Sequence, residues 1–462
     1  MDITQINSRW FRISHATTKE EELLERLLRF PVPNFWFSDR YRCGPWDGKI
    51  SEPFFYKRFG KFAAGLLSRV QSGFDEEGLP LHVEVLERTS LPLHVDPKIL
   101  RGIKLKKWQC HVIDQMLSSG SGVVNCATNS GKTEMAIAFA KVASLPSLFV
   151  VFQKDALWQT KKRFEDRMGR SIGVWGGGQR EISDVMVATV ATLWRNRKEA
   201  IKALRHMRIL FLDECHHLTK NLHALLAKLN FEFGFAFSGT PYKKDSLQPI
   251  FLEALFGEEI AQISNRYLIR KGFSTKAEIN FYRYDSHMDD EVEYSVGYQD
   301  FIISDRTRNR LIRRLAKQGL KPCVIITTRI RHARKLWRML SRSRFRVGMV
   351  SGRSRNELRQ AIVEQLRSSS LDIVIANIVF DESMDFPNIR TLINAAGGKS
   401  PLKLKQRLGR GLRKGTKKKV TYHDFIDSAN VYLLRHSLTR MQTLKEEGFK
   451  VRIRDLRSAS EA

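Results

Sequence analysis

From about residue 100 to the C-terminal region the chain repeats one pattern, a short apolar run followed by an amphipathic stretch of helical period. In the first half the runs are "SGVVNCAT", "PSLFVVFQ", "VMVATV", "RILFLDE" and "FGFAFSGT"; in the second they are "KPCVIITT", "FRVGMVSG", "LDIVIAN", "RTLINAAG" and "KVTYHDFID". Such β-then-α alternation predicts parallel sheets with helices over both faces, because strands that are apolar throughout need cover on both sides. Two similar α/β domains in tandem are the economical reading. The stretch from Gln262 to Ile279 marks the boundary, which assigns residues 99–262 to the first domain and 263–462 to the second.

Residues 1–98 read as a separate small α/β module. "TTKEEELLERLLRFP" offers Thr17 or Thr18 as a helix cap with a glutamate three residues later, leucines at helical spacing and Pro31 as terminator. "FWFSDRYRCGPWDGKISEPFFYKRFGKF" alternates aromatic and polar residues around "CGPWDG", which predicts strand, tight turn, strand, and "FAAGLLSRVQSGF" predicts a second helix. "LPLHVDPKILRG" reads as the linker.

A chain of 462 residues fits two to four domains at roughly 100–200 residues each. The cysteines, Cys43, Cys110, Cys126, Cys215 and Cys323, lie far apart with no C-x-x-C pair, so they read as reduced thiols and not as a zinc site or disulfide framework. Neither a signal peptide nor an apolar run of membrane-spanning length is present, and a cytoplasmic protein is expected. With 79 Lys plus Arg against 49 Asp plus Glu, the formal net charge of +30 points to a polyanionic partner, nucleic acid first. The basic residues look spread along the chain, with no dominant basic amphipathic helix to suggest a membrane surface.

"CATNSGKTEMA" ends in the Gly-Lys-Thr of a phosphate-binding loop, although Cys126 stands where the pattern G-x-x-x-x-G-K-[ST] has its first glycine. A Gly-Lys-Ser/Thr tripeptide arises by chance in roughly one chain in five of this length, so context decides. The loop follows an apolar strand and opens a helix, which lets backbone N–H groups point at phosphates while Lys132 supplies a charge and Thr133 a hydroxyl for Mg²⁺. Farther on, "RILFLDECHHL" places Asp213 and Glu214 at a strand end, where Asp213 can hold the metal and Glu214 can polarise water. His216 and His217 lack the i, i+4 spacing of a zinc protease. "FAFSGTPY" puts Ser238 and Thr240 on a strand-to-loop turn. "LKQRLGRGLRK" carries Gln406, Arg410 and Arg413, which read either as arginine fingers for a γ-phosphate or as a basic helix facing nucleic acid.

In this order the motifs resemble those of superfamily 2 helicases and translocases of the DExH type: "CATNSGKT" is similar to motif I, "DECH" to motif II, "SGT" to motif III and "QRLGRGLR" to motif VI, over residues 100–430. The resemblance implies an α/β fold with two tandem RecA-like parallel-sheet domains after a small α/β N-terminal domain, and ATP with Mg²⁺ as cofactors. It implies nucleotide contacts from Gln109, Thr128, Asn129, Ser130, Gly131, Lys132, Thr133 and Asp385, with Asn129 standing where a glycine is usual. Catalysis is assigned to Lys132, Asp213, Glu214, Gln406, Arg410 and Arg413, the metal to Thr133 and Asp213, and coupling to His216, Ser238 and Thr240. Lys154, Thr189 and Thr192 occupy the places of strand-contacting motifs.

"DRYRCGPWDGKI" and "LRHSLTRMQTLKEEGFKV" resemble the UvsW family of phage recombination and repair helicases. That likeness implies unwinding or remodelling of branched, forked or single-stranded DNA, fork regression and Holliday-junction migration, with host cytoplasm as the location if phage-encoded. Arg42, Trp46 and Lys49 become candidate DNA contacts, and a β-turn with a packed Trp46 is the alternative. An RNA helicase with the same motor, and a nucleic-acid annealing or binding protein, are the rival functions.

Overall fold

The computed structural model describes residues 1–243, 245–273, 277–284, 292–352, 354–377, 389–398 and 420–456. The chain divides into two compact units, Met1–Ile263 and Ser264–Ala462.

The first unit contains three sheets among the described residues, of eight, five and two strands. The largest has its eight strands in the spatial order Gln179–Glu181, Gly173–Gly176, Val185–Thr189, Ser147–Val151, Ile209–Asp213, Phe233–Ser238, Ser121–Cys126 and Glu259–Ile263. All neighbours are parallel except the first pair. Its five apolar runs named above are all strands, and those at Ser147–Val151, Val185–Thr189 and Phe233–Ser238 are buried at every position. Phe139, from the helix Lys132–Ala143, packs its ring 4.7 Å from that of Phe235 on the sheet. Register decides the site: Ser238 pairs with Asn125 and Asp213 with Phe237, so the carboxyl ends of three neighbouring strands open on one edge.

The N-terminal residues build a five-stranded sheet around the antiparallel pair Asp2–Asn7 and Trp10–Ser14. Its helix Thr18–Leu28 starts in the capping box expected from the sequence: Thr17 Oγ1 accepts from Glu20 N at 3.4 Å, and Glu20 Oε2 accepts from Thr17 N at 2.7 Å. The strand, turn, strand expected around "CGPWDG" is corrected. Phe35–Phe37 is a 3₁₀ turn and Asp39–Arg42 a short helix, so no strand precedes the turn; after it Lys49–Ile50 pairs with Phe30–Pro31, and Phe55–Tyr56 pairs with Lys61–Ala63. The left-handed Asn34 (φ 60°) turns the chain, and Phe35 then packs edge-on against Tyr41 at 4.6 Å, so these aromatics cluster locally instead of alternating along a strand. The module packs tightly on the helix Gln248–Phe256. A Cβ on Gly65 would stand 2.0 Å from the Glu253 carbonyl oxygen, and Arg69 makes a two-pronged contact with the Glu253 carboxylate at 3.1 and 2.8 Å.

The second unit is a seven-stranded, wholly parallel sheet in the order Val347–Val350, Ile373–Asn377, Cys323–Thr327, Thr391–Asn394, Val420–Ile426, Ala277–Tyr284 and Val451–Leu456. Together the units are the two tandem parallel-sheet domains, with a small α/β N-terminal part, that the motifs imply.

Candidate nucleotide site and nucleic-acid contacts

The strand Ser121–Cys126 ends in a buried thiol that desolvation pushes up to about 12, so Cys126 acts as a small neutral residue where the strand turns. Asn129 has φ 73° and Gly131 φ 88°, both left-handed. This explains why glycine suits position 129 and why asparagine, the side chain best adapted to that region, can replace it. Gly131 caps the helix Lys132–Ala143, and a Cβ there would stand 2.2 Å from Gln109 Nε2. Gln109 is buried over the loop: Nε2 donates to the Ser130 carbonyl at 3.0 Å, and Oε1 accepts from Lys106 N at 2.8 Å. Trp108 Nε1 stands 3.4 Å from the same carbonyl. Thr128 and Thr133 lie half-buried on either side of the turn.

Lys132 Nζ donates to Glu214 Oε1 at 3.1 Å and lies 3.8 Å from Asp213 Oδ1. Desolvation pulls its ammonium down, but Glu214 and Asp213 more than offset that and hold it above the ordinary lysine value. Desolvation also raises the Asp213 carboxyl, to about 6, against the pull of Lys132. Glu214 sits at φ 48°, and its N–H donates to Asp213 Oδ1 at 3.0 Å, which locks the two acids side by side. One ammonium lies beside two carboxylates in a desolvated corner, a donor set that suits a divalent cation bound with a polyphosphate.

From Glu214 a continuous run of contacts reaches the "SGT" turn. His216 Nδ1 lies 3.3 Å from Glu214 Oε2 and 3.0 Å from Ser238 Oγ, which accepts from Thr240 N at 3.1 Å. Burial lowers His216 to about 4, so it is neutral at neutral pH. The turn also leans on the phosphate loop: a Cβ on Gly239 would stand 3.3 Å from the Cys126 carbonyl oxygen. Gln248, a residue that spacing does not single out, is buried with Nε2 donating to Cys215 O and Pro241 O at 3.0 Å each, so one amide ties the acidic turn to the "SGT" loop. No local pattern in the sequence signals it, since its partners come from two other segments.

Lys154 is exposed at the start of the helix Lys154–Met168, directly after the strand Ser147–Val151. Thr189 ends the neighbouring strand, with Thr189 paired to Val151. Thr189 is buried as the cap of Val190–Arg195 and donates to Thr192 Oγ1 at 2.8 Å. These residues share the carboxyl edge of the sheet, whereas Arg42, Trp46 and Lys49 belong to the N-terminal module. Trp46 is half-buried, with Nε1 donating to Lys49 O at 2.7 Å across its turn. Arg42 and Lys49 are exposed, and so are Trp36 at 50% and Phe37 at 67%, beside which Arg42 lies with its Nε on the Trp36 carbonyl. Asp385, Gln406, Arg410 and Arg413 lie outside the described residues.

Residues 102–243 match the family model of the type III restriction enzyme res subunit, and residues 306–415 match that of the helicase conserved C-terminal domain. The ATP-dependent DNA helicase uvsW of Enterobacteria phage T4 is 24% identical over 494 aligned residues, covering 94% of this chain and 96% of that one. The DNA 3′-5′ translocase XPB2 of Sulfurisphaera tokodaii is 22% identical, covering 75% of this chain and 86% of its own length. Among solved structures, S. cerevisiae Dbp5 bound to RNA and ADP BeF3 superposes with a TM-score of 0.54 at 14% identity, over 77% of this chain and 90% of that chain, a likeness of fold alone.

Proposed function

We propose that this chain, which belongs to the superfamily 2 helicases and is an ATP-dependent DNA helicase similar to UvsW, acts on branched DNA, regressing forks and moving four-way junctions. The observation that carries the motor reading is the unbroken contact path Lys132, Glu214, His216, Ser238, which joins the nucleotide loop to the "SGT" turn. Branched DNA as substrate is supported by a likeness to the T4 protein that extends through the N-terminal module.

In this reading the loop from Thr128 to Thr133 cradles the triphosphate, and Lys132 exchanges its carboxylate partners for phosphate oxygens. Asp213 and Thr133 hold Mg²⁺, which when bound spreads the charge that develops on the transferred phosphoryl group. Glu214, released by Lys132, orients water. Gln109 keeps the loop in its left-handed shape while its remaining amide hydrogen faces the base. Gln406, Arg410 and Arg413 supply the γ-phosphate contacts, and Asp385 contacts the ribose. Lys154, Thr189 and Thr192 grip the translocated strand through its backbone, so sequence preference is slight and salt dependence strong. Movement in the 3′ to 5′ direction is proposed from the likeness to XPB2.

The experiment is ATP hydrolysis by wild type and Lys132→Ala with no nucleic acid, single-stranded DNA, four-way DNA and structured RNA. Stimulation by four-way DNA above single strands, absent in the variant, is expected. Stimulation by RNA alone overturns the substrate, and an unchanged rate in Lys132→Ala overturns the motor site.

A further inference from the structure

The positive charge is less evenly distributed than a linear reading suggests. From Arg306 to Asn356 the sequence has 17 lysines and arginines and no aspartate or glutamate, which is more than half of the formal net charge of +30. Folding removes some of these charges from play: Arg308 is buried against Asp427, and Arg346 pairs with Asp372. Nine of the others lie on two packed helices, Arg306–Gln318 and Ile330–Ser341.

Helix Ile330–Ser341 buries His332, Ala333, Leu336 and Leu340, which turns Arg331, Arg334 and Arg338 outward along one face. Arg306, Arg310 and Arg314 are exposed on the other helix. Among the described residues none of these six arginines has an ion-pair partner. Between Ile330–Ser341 and the helical turn Tyr298–Ser304 runs a groove of about 850 Å³, lined by Gln299, Ser304, Arg331, Arg334, Lys335 and Arg338 among others, with no carboxylate and no aromatic ring among the described residues that line it. Lys335 Nζ is tied down, donating to the carbonyls of Ile303 and Ser304 at 3.2 and 2.9 Å, so the floor of the groove is fixed while its arginine rim is not.

We infer that this groove and its arginine rim bind the phosphate backbone of duplex DNA, apart from the strand on which the motor steps; the inference rests on the helicase reading above. Arg331 and Arg338 are roughly 10 Å apart along the helix at about 1.5 Å per residue. That span matches about three phosphates of one strand at about 3.4 Å of axis each. Single-strand sites stack unpaired bases on aromatic rings, and the described lining has none, so it fits a partner whose bases are paired and whose phosphates face outward. Exposed rings occur at Trp36 and Phe37 in the N-terminal module and at Trp337 on the same helix, which is outside the lining of the groove. A duplex held here gives a branched substrate a second grip, which a motor stepping on a single strand lacks.

The test uses the full chain with Arg334→Ala plus Arg338→Ala, and the same pair changed to lysine. The probes are a short blunt duplex and an oligo-dT strand, each titrated across salt concentrations. The alanine pair is expected to weaken duplex binding about tenfold and to flatten the slope of log K on log salt by about 2 units. The lysine pair should keep both, since phosphate reads charge, and oligo-dT-stimulated ATP hydrolysis should stay at the wild-type rate. Unchanged duplex affinity and slope in the alanine pair overturn the inference. A parallel loss of oligo-dT stimulation also overturns it, because the groove then belongs to the path of the translocated strand. Failure of four-way DNA to stimulate the wild type removes the branched-DNA reading and leaves the duplex result to stand or fall by itself.

Discussion

Lys132, Asp213 and Glu214 in the first unit, and Arg308, Arg440, Asp424 and Asp427 in the second, are both clusters of charge at the carboxyl ends of parallel strands. In the second cluster the signs balance, two against two. All four side chains are at most 1% exposed. Arg440 Nε and Nη2 donate to the two oxygens of Asp424 at 3.1 and 2.9 Å, and its Nη1 donates to Gly398 O at 3.0 Å. Asn394 and Tyr422 add hydrogen bonds to Asp424, while Arg308 and Tyr284 share Asp427. Desolvation opposes the charge on Arg440, yet the two aspartates hold its pKa above the ordinary value. The first cluster sets Lys132 beside Asp213 and Glu214, and Glu214 is 40% exposed. A buried, mutually paired set fixes the backbone around it, whereas a half-open set can exchange its partners for those of a ligand, which is what a ligand site requires.

The comparison is broken most severely at Glu214. Glu214→Gln keeps the shape and removes the base, so hydrolysis should fall by about 10²–10⁴-fold. ATP binding, followed with a fluorescent analogue, should stay within a few-fold; equal losses in both would make Glu214 a binding residue. Arg440→Ala tests the other cluster. It strands Asp424 in the core and should cost about 3–5 kcal/mol of stability in urea unfolding. A loss under about 1 kcal/mol would mean that the network relaxes around the gap.

A third expectation concerns acid. Burial lowers His332 to about 3 and His423 to about 4, and both lie in the second unit. Their folded pKa values are below the unfolded value near 6.5, so the native state binds fewer protons. Their contribution is complete above pH 6.5 and is lost as pH falls toward about 4 for His423 and about 3 for His332. At pH 5 each histidine should cost about 2 kcal/mol relative to neutral pH, and His332→Gln should flatten the pH profile of unfolding by about that amount. A parallel profile would place the acid sensitivity elsewhere.

The smallest effect sharpens the comparison inside the first cluster. Ser238→Ala removes one hydrogen bond to His216, and stimulation of hydrolysis by DNA should fall about fivefold, equivalent to about 1 kcal/mol. Nucleotide affinity should not change. Unaltered stimulation would show that the path from Glu214 to the "SGT" turn carries no coupling.

What the sequence determined by itself was the strand set and the site chemistry. All ten apolar runs are strands, because uninterrupted apolarity demands two covered faces and little else satisfies that demand. The Gly-Lys-Thr loop and the Asp-Glu strand end were legible because each motif is local, with its spacing set by one strand and one turn. The strands Gly173–Gly176, Ala277–Tyr284 and Val451–Leu456 went unread, since glycines or charged edge positions interrupt the apolar pattern there. The aromatic stretch 35–42 misled, because alternation is a strand signal only where a neighbouring strand exists to use it.

Only the tertiary structure decided the rest. It set the strand order that puts Phe233–Ser238 between the loop strand and the acidic strand, and so placed Ser238 within reach of His216. It placed the Gln248 bridge and the Gln109 amide over Gly131. It also separated the buried Arg308 and Arg440 from the outward Arg331, Arg334 and Arg338, which no local pattern distinguishes. Composition records how many charges a chain has; whether a given arginine meets an aspartate, a carbonyl or water depends on segments brought together from distant parts of the sequence.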